Sequence, residues 1–200
     1  MTAELPFSIT GDRYPSRRSV VMSRRGMVGA SQPLAAQAGL RILLAGGNAA
    51  DAAVAVAAAL NVVEPMSTGI GGDAFALVYD AAKRSVSALN GSGRAPRAIS
   101  PQVFVERELD HIPSDGMLPV TVPGTVDAWA ALLKRHGTLS LAQVLAPAIE
   151  YAEHGFPVAS RVASDWKDLI GKLGNSPGAT KHYLPDGRAP REGDIVKILD

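Results

Sequence analysis

The chain has 200 residues, which is enough for one domain with a sizeable core but not for two comfortable ones. Its formal net charge of +1 gives no electrostatic ground for nucleic acid or an anionic membrane as a partner, since both need a concentrated basic face. Charged residues interrupt every long apolar run, so we expect no membrane span. The absence of cysteine excludes disulfides, a thiolate nucleophile and cysteine metal ligands.

Residues 1–25 are expected to form a mostly extended N-terminal extension ahead of a single unit over 26–200. The run Ser-Arg-Arg-Ser-Val-Val-Met at 16–22 is similar to a twin-arginine export signal. Such a signal needs a longer apolar stretch, and Ser-Arg-Arg at 23–25 ends this one after three residues. The sequence therefore predicts a cytoplasmic protein.

A proline and a pair of glycines delimit the first predicted helix. The short apolar segment 27–31 predicts a strand, and Pro33 follows at a place that suits the first turn of a helix. Apolar residues then recur along 34–44 on one broad face until Gly46 and Gly47. Because glycine readily leaves the helical conformation, the helix should end there.

A second helix is predicted to begin directly afterwards, at Asn48. Its side chain can accept from the N–H groups of the first turn, and Asp51 completes a capping-box pair worth about 1 kcal/mol. Residues 52–63 are apolar on nearly every side, which indicates a buried helix. A glycine-rich loop over 65–72 should follow it.

The segments 73–80 and 84–90 predict an antiparallel β-hairpin. Apolar side chains alternate with smaller residues along its first strand, which places Phe75, Leu77 and Tyr79 on one side. Because the preceding helix is apolar all round, we expect its residues 52–60 to lie buried beneath the hairpin sheet.

The second half of the chain predicts three helices followed by loops. Helices over 125–136 and 139–154 each end in a His-Gly pair, in which imidazole complements the negative helix end and glycine takes a left-handed cap. A third helix is expected over 158–173. Residues 174–194 are rich in turn formers, and we expect loops there.

Two features that suggest chemistry have simpler interpretations. Gly-Ile-Gly-Gly at 69–72 precedes a strand and lacks a Gly-Lys-Ser/Thr ending, so a tight chain reversal fits it better than a phosphate-binding loop. The histidines lie at 111, 136, 154 and 182, with no pair at the spacing that seats a metal on a helix. We therefore expect neither a metal nor a nucleotide cofactor.

Five sequence segments, which we call blocks, indicate the function more strongly than these two features do. They are Gly-Gly-Asn-Ala-Ala-Asp-Ala-Ala-Val-Ala (46–55), Gly-Ile-Gly-Gly-Asp-Ala-Phe (69–75), Arg-Ala-Pro (94–96), Val-Pro-Gly-Thr-Val (122–126) and Ala-Pro-Ala-Ile-Glu-Tyr-Ala-Glu-His-Gly-Phe-Pro-Val (146–158). In this order and spacing they resemble the γ-glutamyltranspeptidase family of N-terminal-nucleophile hydrolases. The resemblance extends from about residue 26 to residue 196.

The resemblance implies an α/β (α+β) fold, the αββα sandwich of N-terminal-nucleophile hydrolases, of which this chain holds only an incomplete part. Family members are made as one precursor that cuts itself ahead of a threonine, giving a large and a small subunit. The freed threonine attacks γ-glutamyl amides such as glutathione, with its own α-amino group as base, and passes the acyl group to water or an amino acid.

This chain is similar to the N-terminal part of the large subunit. The resemblance therefore implies that the nucleophile lies beyond Asp200, that the chain alone contains no catalytic residue and is inactive, and that its partner is the small subunit of the same precursor. Thr-Lys-His-Tyr at 180–183 is only superficially similar to the nucleophile motif, since the residues after it look like the family's large-subunit loop. We interpret Thr180 as a loop residue.

The family's large subunit contributes an arginine that pairs with the substrate α-carboxylate. Alignment on the Ala-Pro pair places Ser92 where that arginine belongs and leaves Arg94 two residues on. In extended chain the side chains of i and i+2 project from one face, roughly 6.5–7 Å apart, so Arg94 can still enter the substrate pocket. A displaced guanidinium would suit a different acyl group, as in the family's acylases of glutaryl amides. The alternative is that Arg94 forms a surface or interchain salt bridge.

The leading hypothesis for function is a γ-glutamyltranspeptidase-like amide hydrolase or acyltransferase. A second hypothesis is a glutaryl- or cephalosporin-type acylase of the same family, with no strict need for a γ-glutamyl donor. A third, from another class, is a non-catalytic binding or scaffold fragment, which a gene ending at Asp200 would require. The coding sequence after Asp200 separates the third hypothesis from the first two.

Overall fold

The computed structural model of the protein describes residues 20–199. The expectation for the N-terminal extension and its arginine pair therefore lies largely outside the described residues. Residues 20–25, which are described, contain neither helix nor strand.

The described residues form a mixed α/β unit of eight helices and four strands. The helices are α1 (Pro33–Leu44), α2 (Ala49–Val63), α3 (Pro101–Glu106), α4 (Thr125–His136), α5 (Leu141–His154), α6 (Ser160–Asp168), α7 (Ile170–Gly174) and α8 (Pro177–Tyr183). The strands are β1 (Ala74–Asp80), β2 (Ser85–Gly91), β3 (Phe156–Pro157) and β4 (Ile195–Val196). A 3-10 turn covers Pro185–Gly187.

The predicted starts and ends of the first two helices are confirmed. Pro33 occupies the first turn of α1, and the side chain of Gln32 accepts from the N–H groups of Leu34 and Ala35. Asn48 caps α2, and the capping box with Asp51 is complete. The strand predicted over 27–31 is wrong, because no strand within the described residues pairs with this segment. A strand needs hydrogen bonds from a neighbour, which its own sequence cannot supply.

Helix α2 forms the centre of the core. Val54, Ala55, Ala59 and Val63 are at most 1% exposed, because α1 and α5 pack along the helix. The helices approach closely: a Cβ placed on Gly39 of α1 would lie 2.6 Å from a methyl group of the α2 valine at position 56. The predicted burial of α2 is confirmed.

The elements that bury α2 differ from the prediction. The hairpin sheet was expected to lie over this helix, but other helices bury most of it. The hairpin rests mainly on α4, and its inner face carries the partly buried Ala76, Val78 and Leu89. A small cavity of about 110 Å³ lies between this face, α4 and the α2 residues Ala53 and Ala57. The small side chains of the inner face leave space rather than filling the contact with α2.

The hairpin itself is confirmed. Strands β1 and β2 pair antiparallel in a register that runs from Ala74 opposite Gly91 to Asp80 opposite Ser85. Phe75, Leu77 and Tyr79 share one side as predicted, and they are 67%, 78% and 63% exposed. The most apolar face of the sheet therefore points away from the core of the described residues.

The boundary between α4 and α5 is set by close packing rather than by the predicted left-handed glycine. Gly137 has a φ of −77°, so the left-handed cap is wrong there. A Cβ at this position would lie 2.7 Å from the Oδ1 atom of Asp51, which explains the glycine by space instead. Helix α5 starts at Leu141 rather than at 139, because Ser140 and Gln143 form a capping box.

The C-terminal quarter is more helical than predicted. The single helix expected over 158–173 is two helices, α6 and α7, which meet at Leu169. The loop expected over 174–194 contains α8, and Thr180 lies within this helix rather than in a loop. Its hydroxyl donates to the carbonyl of Leu173 at 3.2 Å, which gives the residue a structural role.

Candidate active-site platform

Three segments that are distant in sequence meet at the open end of the hairpin. The carbonyl of Gly72 accepts from the N–H groups of Gly124 and Thr125, at 3.0 and 3.1 Å, at the start of α4. The N–H of Val122 donates to the carbonyl of Arg94 at 2.9 Å. The blocks 69–75, 94–96 and 122–126 thus form one surface, which we call the platform: residues 69–75, 90–96 and 120–126.

Glycines allow the backbones of the platform to touch. A Cβ on Gly93 would lie 1.8 Å from the carbonyl oxygen of Val122, and one on Gly124 would lie 2.3 Å from that of Gly91. Neither distance is compatible with a side chain. The tight reversal predicted at 69–72 is present, with the N–H of Gly72 donating to the carbonyl of Gly69 at 3.3 Å.

Asp73 is the polar centre of the platform. Its Oδ1 atom accepts from the N–H of Gly93 at 2.8 Å and from the hydroxyl of Thr121 at 3.1 Å. Its Oδ2 atom accepts from the hydroxyl of Ser92 at 3.4 Å. The hydrogen bond from Gly93, helped by those from Thr121 and Ser92, lowers the pKa of Asp73 below its ordinary value. The carboxylate is therefore ionised at neutral pH.

Both residues proposed from the sequence lie on this platform. Ser92 is exposed, and its N–H donates to the side chain of Asn90 at 2.9 Å while its hydroxyl points to Asp73. The side chain of Arg94 is exposed, and within residues 20–199 its guanidinium has no hydrogen-bond or ion-pair partner. The backbone of Arg94 is fixed, whereas its charged group faces solvent.

The sequence interpretation missed Asp73. It was placed only at the start of the first hairpin strand, and its partners lie 20 and 48 residues away. Its position beside the glycines of the block 69–75 was the only available signal, and that signal carries no information on the partners.

A second hydrogen-bonded aspartate, Asp51, has a structural role, and we call it and its partners Asn48, Thr138 and Leu139 the buried cluster. Asp51 is fully buried and accepts from the N–H groups of Asn48, Thr138 and Leu139 and from the hydroxyl of Thr138. Burial alone would raise the pKa of Asp51, and the hydrogen bonds from these three residues outweigh that effect and lower it. The amide of Asn48 also donates to the carbonyl of His136 at 2.6 Å. The cluster thereby ties the start of α2 to the turn before α5.

Within residues 20–199, no group of three or more histidine, aspartate or glutamate side chains is arranged to hold a metal ion. None of the described helices is long and apolar enough to cross a membrane.

Comparison with known proteins supports the family resemblance that the five sequence blocks indicate. The family model described as "Gamma-glutamyltranspeptidase" matches residues 35–199. The "Glutathione hydrolase-like YwrD proenzyme" of Bacillus subtilis is 43% identical over 175 residues, which cover 87% of this chain and 33% of that protein. The chain spans about a third of the length of the curated relatives it matches.

Solved structures share the fold. The cephalosporin acylase from Bacillus halodurans is 47% identical with a TM-score of 0.86, covering 96% of this chain and 37% of that one. The Helicobacter pylori gamma-glutamyltranspeptidase is 33% identical with a TM-score of 0.83, covering 90% and 52%. The α/β fold class implied by the sequence blocks is confirmed, with this chain matching only part of each longer molecule.

Proposed function

The chain belongs to the gamma-glutamyltranspeptidase family, and on that premise we propose that residues 26–200 form the N-terminal part of the large subunit of an amide hydrolase or acyltransferase. The acyl group of a γ-glutamyl amide, such as glutathione, passes to an N-terminal threonine and then to water or an amino acid. That threonine lies beyond Asp200 in this proposal. The described chain contributes substrate recognition and no catalytic residue.

The observation that carries the proposal is the guanidinium of Arg94 on the platform, which has no partner among residues 20–199. Three of the family-like blocks meet there, and hydrogen bonds to Gly72 and from Val122 hold the surrounding backbone. A guanidinium with its donors free forms bidentate, charge-assisted bonds with carboxylates. We propose that Arg94 binds the carboxylate of the acyl group, beside Ser92.

The partner in this proposal is the small subunit cut from the same precursor. Relatives named as proenzymes support such a cut, among them the Bacillus subtilis glutathione hydrolase. The exposed hairpin face of Phe75, Leu77, Tyr79 and Val86 offers an apolar surface for the second sheet of the sandwich. We also propose a cytoplasmic location, which fractionation of the native cells would test.

A glutaryl- or cephalosporin-type acylase is the second candidate. The higher identity to the cephalosporin acylase structure, 47% against 33% for the transpeptidase structure, favours it. The two-residue displacement of the arginine also favours the acylase, since the site would accept a carboxylate at a different distance. Moving the arginine to position 92, by Ser92→Arg with Arg94→Ala, should raise the preference for γ-glutamyl over glutaryl amides if this displacement sets specificity.

The decisive experiment uses the complete gene product that contains this chain. Mass spectrometry should show cleavage into two subunits with threonine at the new N-terminus, and the mature protein should release p-nitroaniline from γ-glutamyl- or glutaryl-p-nitroanilide. The ratio of the two rates separates the transpeptidase-like function from the acylase. A coding sequence that stops at Asp200, or a longer product with neither cleavage nor amide hydrolysis, would contradict both and leave the non-catalytic fragment.

A further inference from the structure

We propose that Asp73 is a positioning residue that sets where the guanidinium of Arg94 projects, and thereby which carboxylate-bearing acyl groups the site accepts. This inference deepens the proposed function and rests on it, since it assumes that Arg94 binds a substrate carboxylate. Asp73 would act through the backbone of the loop that carries Arg94 and would not touch the substrate.

The loop is held on both sides of Arg94. Immediately before it, the N–H of Gly93 and the hydroxyl of Ser92 donate to the carboxylate of Asp73, at 2.8 and 3.4 Å. At Arg94 itself, the carbonyl accepts from the N–H of Val122 at 2.9 Å. Asp73 and Val122 thus anchor the backbone at residues 93 and 94, and the side chain of Asn90 adds a local contact by accepting from the N–H of Ser92 at 2.9 Å. Of the two side chains, only that of Asp73 ties the loop to a segment distant in sequence.

Asp73 also joins this loop to the third segment of the platform. The same Oδ1 atom that accepts from Gly93 accepts from the hydroxyl of Thr121 at 3.1 Å. An ionised carboxylate has only acceptor sites, about four in number, and so can take all three donors at once. The adjacent Gly72 binds the start of α4 through its carbonyl. Residues 72 and 73 thus attach both other segments to the start of β1.

The contacts of Asp73 favour a positioning role over a charge-pairing one. Its three partners within residues 20–199 are an amide and two hydroxyls, and no lysine, arginine or histidine there forms an ion pair with it. Asp80, at the other end of β1, differs in this respect, because it pairs with Lys83 at 3.0 Å as well as accepting from two backbone N–H groups. Asp80 serves as the control because it is an aspartate of the same strand that lies at the end remote from the platform.

The test measures kcat and KM of the mature two-subunit enzyme on a carboxylate-bearing acyl amide. Asp73→Ala should raise KM by roughly tenfold and leave kcat within about twofold, because the loop loses its hydrogen bonds to a charged acceptor and Arg94 then meets the substrate carboxylate less well on binding. Asp73→Asn keeps an oxygen acceptor for Gly93 and Thr121, and should bring KM back to within about threefold of wild type. Asp80→Ala should leave both constants unchanged.

A double variant distinguishes failure of this inference from failure of the proposed function. If Asp73 acts through Arg94, Asp73→Ala combined with Arg94→Ala should be no worse than Arg94→Ala alone. Additive losses, a wild-type KM for Asp73→Ala, or an Asp73→Asn variant as defective as Asp73→Ala would each overturn the positioning role. A wild-type KM for Arg94→Ala would instead overturn the proposed function on which this inference rests.

Discussion

The carboxylate of Asp51 accepts hydrogen bonds from the N–H of Thr138, at 3.0 and 3.1 Å, and from its hydroxyl at 2.7 Å, although 87 residues separate the two. This contact fixes the turn between α4 and α5 against the start of α2. Because α4 also begins at the platform, the buried cluster and the candidate site are joined by one helix. The stability of the fold and the geometry of the platform are linked through it.

Replacing Asp51 by asparagine should destabilise the fold. The new NH₂ group would face N–H donors in a fully buried site, so one or more of them would lose an acceptor, at a cost of about 2–3 kcal/mol in the free energy of unfolding. Urea denaturation of the mature protein measures this cost. Asp165→Asn, which breaks only the exposed pair with Arg161, should change it by less than about 0.5 kcal/mol. Equal effects of the two variants would contradict the structural role of Asp51.

The contribution of Asp51 to the free energy of unfolding should fall as the pH is lowered. Its pKa in the folded protein lies below the ordinary value of 3.8, so around that pH the unfolded chain binds the proton more readily. The stability that the ionised carboxylate contributes is complete above pH 3.8 and is lost as the pH falls through the folded pKa. The difference in unfolding free energy between wild type and Asp51→Asn should shrink with acidification. A difference that grows below pH 3.8 would contradict the assignment.

Gly93→Ala should disturb the platform. Its Cβ would overlap the carbonyl oxygen of Val122, at 1.8 Å, so the loop carrying Arg94 must shift. We expect a loss of about 1–3 kcal/mol in stability together with a raised KM for carboxylate-bearing substrates. Gly69→Ala is the matched control, because a Cβ there meets no atom within 4 Å. If thermal melting and kinetics cannot distinguish Gly93→Ala from wild type, the close packing is not needed.

The 200-residue chain alone should associate in solution. Phe75, Leu77, Tyr79 and Val86 form one exposed apolar hairpin face, and no strand within the described residues covers it. Sedimentation velocity should show oligomers, and replacing Leu77 and Tyr79 by lysine should reduce them. A compact monomer with a cooperative melting transition would count against a fold shared between two subunits.

Local signals explain which helices could be predicted. The Asn48–Asp51 capping box and Pro33 define helix starts through contacts within four residues, and the structure confirms both. The break at Leu169 has no capping side chain and was missed. The helix Pro177–Tyr183 does begin with a capping Ser176 and with Pro177, but it is only seven residues long and lies among turn formers, so a loop was predicted there. The strand expected over 27–31 was wrong because strand formation depends on a partner elsewhere in the chain.

The candidate site could also be predicted only in part, because some of its contacts join residues distant in sequence. Sequence blocks singled out Ser92 and Arg94 as candidate site residues, and their role stays a prediction; the structure shows that their loop belongs to the platform. Asp73 was not found, because its partners Gly93 and Thr121 come close only when three segments converge. Side chains that act through long-range contacts leave no pattern in a single sequence.

The most direct test of the central claim is the kcat/KM of Arg94→Ala in the mature enzyme, measured on γ-glutamyl- and glutaryl-p-nitroanilide. Loss of a charge-assisted bond to the substrate carboxylate should lower kcat/KM roughly ten- to a hundredfold, with the melting temperature unchanged. Arg97→Ala removes an equally charged, exposed side chain three residues on, and should leave kcat/KM at the wild-type value. If Arg94→Ala and wild type have equal kcat/KM on both substrates, this arginine does not reach the acyl group and the platform is not the carboxylate-binding part of the active site.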